Sequence, residues 1–367
     1  MTKLRISNGM FISMIVNMIF VKSIGVTQGT LARIAGQDMW LATLLGTLQG
    51  MLFMYVAYLV MKRAPGMNFL AIGEALLGNW LGKIVALVVL TFFIASSGPI
   101  MITFVYHLQD YFLPEAPLSL FLVSSLLVGA LGCFYGLEVV ARLALLGMLF
   151  IFLLNVLIII GSTQEFDIRN LLPVLEQGFP SAAEASLHYD ADCAMAIMMA
   201  AIVMPFVNNA DKHGGKVGMT GLAATGMVTL IWALLEGAVL SAEVTSRYTV
   251  SCMKLARNAH IGDFMQRYEM IMIALYSIPV LFEIMICIYG TSVSMSKLFG
   301  MRSNRWMIVP ACLLIGGFSY RIVGDHFRAM QYLEKVWPYI AVPIAFGLPV
   351  VMLGLAVILR GRLRQAG

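Results

Sequence analysis

The chain has 367 residues, of which 60% are hydrophobic and only 12% charged, and its mean hydropathy is +0.88. Soluble domains carry about 25% charged residues, and the shortfall runs the whole length, so no sizeable soluble domain is hidden here. The net charge of +5 is what a membrane protein acquires by keeping basic residues in its inner loops, and no Lys/Arg block long enough for a nucleic-acid arm occurs.

A membrane-spanning helix needs roughly 20 mostly apolar residues. On that measure the sequence predicts an all-α integral membrane protein with about ten spans, near 6–35, 40–61, 79–109, 117–137, 141–161, 187–209, 215–242, 267–299, 306–323 and 336–360. Lys3 and Arg5 before the first apolar run resemble the start of a signal peptide, but no small-x-small cleavage site follows and further spans come directly after. The first run therefore reads as a retained span. Residues 67–78, where Phe69, Leu70, Ile72, Leu76 and Leu77 alternate with small or polar residues, predict a short helix on the membrane surface. Two outer loops, 162–186 and 243–266, are longer than a connection requires, and the second predicts short amphipathic helices. Of the 24 Lys and Arg residues, 14 fall on the side that holds both termini and 9 on the other, with Lys22 inside the first span. The excess predicts cytoplasmic N- and C-termini.

Within the spans, three ionisable residues depart from what lipid favours. A charge at the bilayer centre costs about 2.5–3.5 kcal/mol on insertion scales, so such residues face a cavity or a partner. Lys22 is followed by Ser23, Ile24, Gly25, Val26, Thr27, Gln28 and Gly29, a composition that weakens a helix. Two structures fit: a discontinuous helix whose freed backbone groups face a central site, or a shorter helix ending near Val21, with Lys22 snorkelling and 23–38 as loop. Glu283 and Glu236, in the eighth and seventh spans, pair with Lys22, or titrate during a cycle, or sit protonated and hydrogen-bonded to a neighbouring helix. The third span carries Ser96 and Ser97 at mid-depth, and the sixth carries Met198 and Met199 with Pro205 below. Small and hydroxyl residues permit close helix packing and equally suit a polar pocket; methionines are soft apolar filler.

The five cysteines are isolated without a CxxC spacing, and the five histidines are scattered. These patterns predict no disulfide framework, no metal site and no cofactor. No Walker loop, HExxH, GxSxG or GxGxxG occurs, so the sequence predicts a non-enzyme.

Several stretches, in order, are similar to the B-subunits of spore germination receptors. Ala35-Gly36-Gln37-Asp38-Met39-Trp40-Leu41 follows the first span, Lys62-Arg63-Ala64-Pro65-Gly66 ends the second, and Leu113-Pro114-Glu115-Ala116-Pro117 ends the third. Gly136-Leu137-Glu138-Val139-Val140-Ala141-Arg142, the outer-loop run Leu172–Gly178 and the stretch 261–269 before the eighth span also resemble that family. The resemblance covers almost the whole chain. It implies the amino acid–polyamine–organocation superfamily architecture, which is LeuT-like: two inverted five-helix repeats (about 6–161 and 187–360) in one transmembrane domain, with broken first and sixth helices. It further implies a complex with a receptor A-subunit and a C-subunit lipoprotein in the spore inner membrane, where the chain senses a small germinant, commonly an amino acid.

On this reading Lys22, Ser23, Ile24, Gly25, Val26, Ser96, Ser97, Met198, Met199 and Glu283 surround the ligand, and Lys22 ties the first span to the eighth through Glu283. Two other functions stay open: a secondary transporter, proton-coupled through Glu283 or Lys22, and a purely structural subunit.

Overall fold

The computed structural model describes residues 5–260, 268–301, 303–359 and 361–363. The stretch 261–267, which carries most of the motif before the eighth span, lies outside the described residues. Nine stretches among the described residues are long and apolar enough to cross a membrane, and the first, Asn8–Lys62, crosses twice. It comprises α1 (Asn8–Lys22), a π-helical segment (Ser23–Thr27), α2 (Gln28–Ala35) and, after a turn, α3 (Met39–Lys62). Ser7 caps α1, its hydroxyl accepting from the Met10 amide at 3.1 Å. Gly36 makes the turn with φ 59° and ψ −135°, which a side chain would strain.

The remaining elements follow the hydropathy closely at most ends. α4 (Phe69–Tyr111) bends at Gly78 (φ 81°), which separates the predicted short helix from the third span. The short part folds back, since a Cβ on Gly82 would lie 2.6 Å from Glu74 Cα and one on Gly73 3.0 Å from Val85. Then come α5 (Leu118–Tyr135), α6 (Leu137–Ser162), α7 (Phe179–Val203) and α8 (Ala210–Leu235), which continues as a π-helical segment, Glu236–Leu240. Two short helices, α9 (Ala242–Arg247) and α10 (Ser251–Asn258), occupy the second outer loop, before α11 (Tyr268–Leu298) and α12 (Ile308–Val323). The tenth span consists of α13 (His326–Gln331), α14 (Trp337–Val342) and α15 (Leu348–Ile358), joined by two π-helical segments.

Two spans begin eight or more residues earlier than hydropathy predicts. α7 starts at Phe179, eight residues before position 187, with Pro180 in its first turn, where a missing N–H costs nothing. The tenth starts at His326, ten residues before position 336, with Asp325 accepting from the Arg328 amide at 2.8 Å. In both, polar residues in the outer turns mask a helix that is already formed. The resemblance also implies a broken sixth helix. α7 is continuous past Met198 and Met199, and its interruption falls at the inner end, as a 3-10 turn over Met204–Phe206 around Pro205.

Close contacts give the helix directions. Along α3 and α8, Gly214 faces Tyr58, Gly218 faces Met54 and Gly226 faces Thr47, so these helices are antiparallel. Along α4 and α11, His107 stacks on Tyr276, Ser96 meets Cys287 and Gly290 meets Phe93, again antiparallel. The second span thus packs on the seventh, and the third on the eighth. Small residues at each crossing let backbones approach where lipid supplies no hydrophobic drive. The outer loop after α6 is pinned to the turn between the first two spans. Asp38 accepts from the Leu175 amide at 2.9 Å, and the Gln37 amide donates to the Pro173 carbonyl at 2.8 Å and to Glu176 at 2.6 Å. The Gly-Gln-Asp motif therefore fastens a loop.

Candidate functional site

The centre of the molecule is the π-helical segment of the first span. Across it the backbone stays right-handed, with φ between −58° and −74° at Lys22, Ser23, Thr27 and Gln28. The interruption is a widened turn, not the unwound chain that the glycine and hydroxyl composition suggested. Such bulges disturb the regular hydrogen-bond ladder, and one carbonyl here is taken by a side chain, the Tyr276 hydroxyl donating to Val21 O at 2.8 Å.

Lys22, 3% exposed, forms an ion pair with Asp192 of α7, whose side chain is fully buried. The ammonium also donates to Thr27 Oγ1 at 3.2 Å, and Ser23 Oγ donates to the other Asp192 oxygen at 2.8 Å. Both carboxylate oxygens are thereby engaged, which is the condition under which a buried pair persists. The expected tie of Lys22 to Glu283 is thus corrected: the partner is Asp192, on the sixth span. Sequence reasoning missed it because α7 was taken to begin at position 187, which put Asp192 close to its outer end. With the helix starting at Phe179, Asp192 lies 13 residues in, about 20 Å along the axis. The Gly178-Phe179-Pro180 start signal could have revealed this.

Glu283, on α11, is fully buried with both carboxylate oxygens unpartnered among the described residues, and it lies within electrostatic reach of Asp192 and Lys22. Gln28, just past the bulge, likewise has a buried amide with neither atom hydrogen-bonded. Gly25 is a point of tight approach: a Cβ there would stand 2.6 Å from Thr103 Cγ2 and 2.8 Å from the Tyr276 hydroxyl. His107 stacks on Tyr276 with ring centroids 4.5 Å apart, and its Nδ1 donates to the Thr103 carbonyl at 2.6 Å. A carbonyl only accepts, so Nδ1 carries the proton and Nε2 faces Cys252 of α10 at 3.4 Å. α10 thus roofs the bulge.

The other predicted residues divide. Ile24 is core, and Val26 lines a small cavity with Lys22, Thr27, Thr30, His188 and Leu333 that has room for about one water, about 10 Å³. Ser96 bonds the Phe93 carbonyl and Cys287, one turn along α11 from Glu283. Ser97 turns toward α12, meeting Ser319 at 3.2 Å. Met198 and Met199 pack in the apolar core more than a turn inward of Asp192. The structure therefore gathers Lys22, Ser23, Gly25 and Glu283, and leaves Ser97, Met198 and Met199 outside that cluster.

Bonds between spans flank this centre on both sides. Toward the C-terminal end of α2, Arg33 pairs with Glu334 at 2.7 Å and donates to Thr30 Oγ1 at 2.8 Å and the Ser246 carbonyl at 2.9 Å. At the opposite end of the bundle the first described residues strap the end of the sixth span, with the Ile6 amide donating to Phe206 O at 2.8 Å and the Asn208 amide to Ile6 O at 2.9 Å.

Residues 5–321 match a family model described as "Spore germination protein". The chain belongs to this family. Its relatives include spore germination protein KB of Bacillus subtilis (strain 168), 25% identical over 97% of this chain and 96% of that protein. Spore germination protein YndE of the same organism is 24% identical over 71% of this chain and 72% of its own length. Spore germination protein GerQB of Bacillus cereus is 19% identical, covering 77% of each. Among solved structures, the nucleobase-cation-symport-1 family transporter Mhp1, in a closed conformation with bromovinylhydantoin bound, superposes with a TM-score of 0.68 over 98% of this chain and 80% of its own, at 10% identity. That likeness establishes a transporter-like fold for the chain.

Proposed function

We propose that this chain is the membrane-embedded ligand-sensing subunit of a germinant receptor, and that its ligand is a small zwitterion such as an amino acid. The observation that carries the proposal is the pairing of Lys22 and Asp192 at the helix bulge beside Glu283, a buried carboxylate with no partner among the described residues. Such a carboxylate is costly unless it is protonated or meets a donor. A ligand ammonium entering beside it would supply that donor, and the ligand carboxylate would compete with Asp192 for Lys22 and Ser23. Binding would therefore loosen the contact between the first and sixth spans, and a movement of helices is what a receptor must pass to its partners.

Family membership supports a receptor complex, with an A-subunit and a C-subunit lipoprotein as partners, in the spore inner membrane. The antiparallel packing of the second span on the seventh, and of the third on the eighth, supports two inverted repeats within one transmembrane domain. The excess of basic residues supports cytoplasmic termini. The chain acts by binding, without covalent chemistry.

The test is germination of spores whose only receptor contains this chain, screened with amino acids and then repeated with Glu283→Gln and Lys22→Met. Loss of response is expected for both, at normal receptor abundance for Glu283→Gln, which leaves the Lys22–Asp192 pair intact. Full response in both variants would remove the site. Substrate counterflow in proteoliposomes separates sensing from transport, and direct ligand binding separates sensing from scaffolding.

A further inference from the structure

Away from the central site, a second cavity opens where the bend at Gly78 meets the end of α11. It has a volume of about 340 Å³ and is bordered by Glu74, Asn79, Lys83, Ser296 and Lys297. Lys297 forms an ion pair with Glu74, so one cation there is already neutralised. Lys83 has no carboxylate partner among the described residues, and its Nζ lies 5.9 Å from the centre of the Trp80 ring. Asn79 and Ser296 add neutral hydrogen-bonding groups, and the cavity carries a net positive charge.

The surroundings say what kind of molecule fits. Trp80 is 87% exposed and Phe299, across the cavity, is 68% exposed. Large aromatics of this kind sit at the level of lipid headgroups. From Trp80, exposed Leu81, Ile84 and Leu87 run down the third span at helical spacing, an apolar track leading from the cavity toward the bilayer centre. A cation beside hydrogen-bonding groups at the interface, continuous with an acyl-sized track, matches a phosphodiester headgroup with its chains. The geometry points to a binding site for one anionic phospholipid, held by Lys83. Because that end of the bundle carries the excess of Lys and Arg, an anionic leaflet surface would bring the lipid to it.

The site is distinct from the Lys22 cluster, so its test is independent of germinant response. The purified full-length chain in maltoside micelles is titrated with phosphatidylglycerol, phosphatidylcholine or inorganic phosphate, reading thermal unfolding and, by native mass spectrometry, retained lipid. Phosphatidylglycerol should stabilise the chain and be retained as a discrete adduct, while phosphatidylcholine and inorganic phosphate should do neither. Lys83→Gln, which touches no other charged partner, should weaken retention about fivefold, while Glu74→Gln/Lys297→Gln, which removes a neutral pair and leaves the net charge unchanged, should change it less than twofold. Equal retention of phosphatidylcholine, or of phosphatidylglycerol by Lys83→Gln, would overturn the proposal. Stabilisation by inorganic phosphate alone would also overturn it, marking a phosphate site in place of a lipid one.

Discussion

Two lysine–carboxylate pairs join segments far apart in the sequence, and they teach opposite lessons. Lys22 and Asp192, 170 residues apart, meet at the centre of the bundle with side chains 4% and 0% exposed. Lys297 and Glu74, 223 residues apart, meet at one end with side chains 33% and 41% exposed. The chemistry is the same and the surroundings differ. At the exposed end water solvates either partner alone, and the pair adds about 0–1 kcal/mol. At the centre bulk water is excluded, and removing one ion strands the other at a cost of about 3–5 kcal/mol. Only the buried pair gives a ligand something to exchange.

The largest effect should therefore come from Asp192→Leu, which leaves Lys22 unpaired in the core. Thermal unfolding of the purified chain should fall by about 3–5 kcal/mol in stability, with germinant response lost. An unchanged unfolding midpoint would show that the pair is dispensable. The comparison sharpens with Lys22→Met/Asp192→Leu, which removes both charges. Most of the stability should return while response stays absent, since an apolar replacement of a buried pair is often neutral. Recovery of response would instead assign the pair a purely structural role.

Next in size is Gly25→Ala, whose added methyl would press on Thr103 and Tyr276. It should destabilise by about 1–3 kcal/mol and raise the germinant concentration for half-maximal response; if neither changes, the bulge is looser than its contacts indicate. Tyr276→Phe removes the hydrogen bond to Val21 O and should cost about 0.5–1.5 kcal/mol, seen as a lower unfolding midpoint. The smallest effect belongs to the exposed pair. Lys297→Gln in lipid-free micelles should change stability by less than about 1 kcal/mol, and added salt should shrink the difference. A larger loss there would break the contrast between the two pairs.

Nearly all of the fold was legible because membrane insertion imposes a strong constraint. Long apolar runs must be helices, and the spans fall close to where hydropathy puts them. The exceptions, α7 and the tenth span, carry Ser181, Glu184 and Ser186, or Arg328, Glu334 and Lys335, in their outer turns. A hydropathy window cannot distinguish a polar turn that is already helical from a loop in water. The candidate site was half legible for the same reason. Lys22, Ser23 and Gly25 stood out as a charged, hydroxyl-bearing and glycine-bearing interruption inside an apolar run, and Glu283 as an isolated acid in another.

By itself the sequence determined the membrane character, the number of spans, the weak point in the first of them and the family likeness. Each of these follows from composition along one segment or from local motifs, which depend on neighbours in the chain. Only the tertiary structure decided that Lys22 pairs with Asp192 and not Glu283, that Ser97 and Met199 lie off the centre, and that Gln37 and Asp38 fasten an outer loop. Those outcomes depend on the depth and rotation of one helix against another. A start point eight residues earlier moves a side chain by about 12 Å along the axis, and no local pattern records where the facing helix will present its partner.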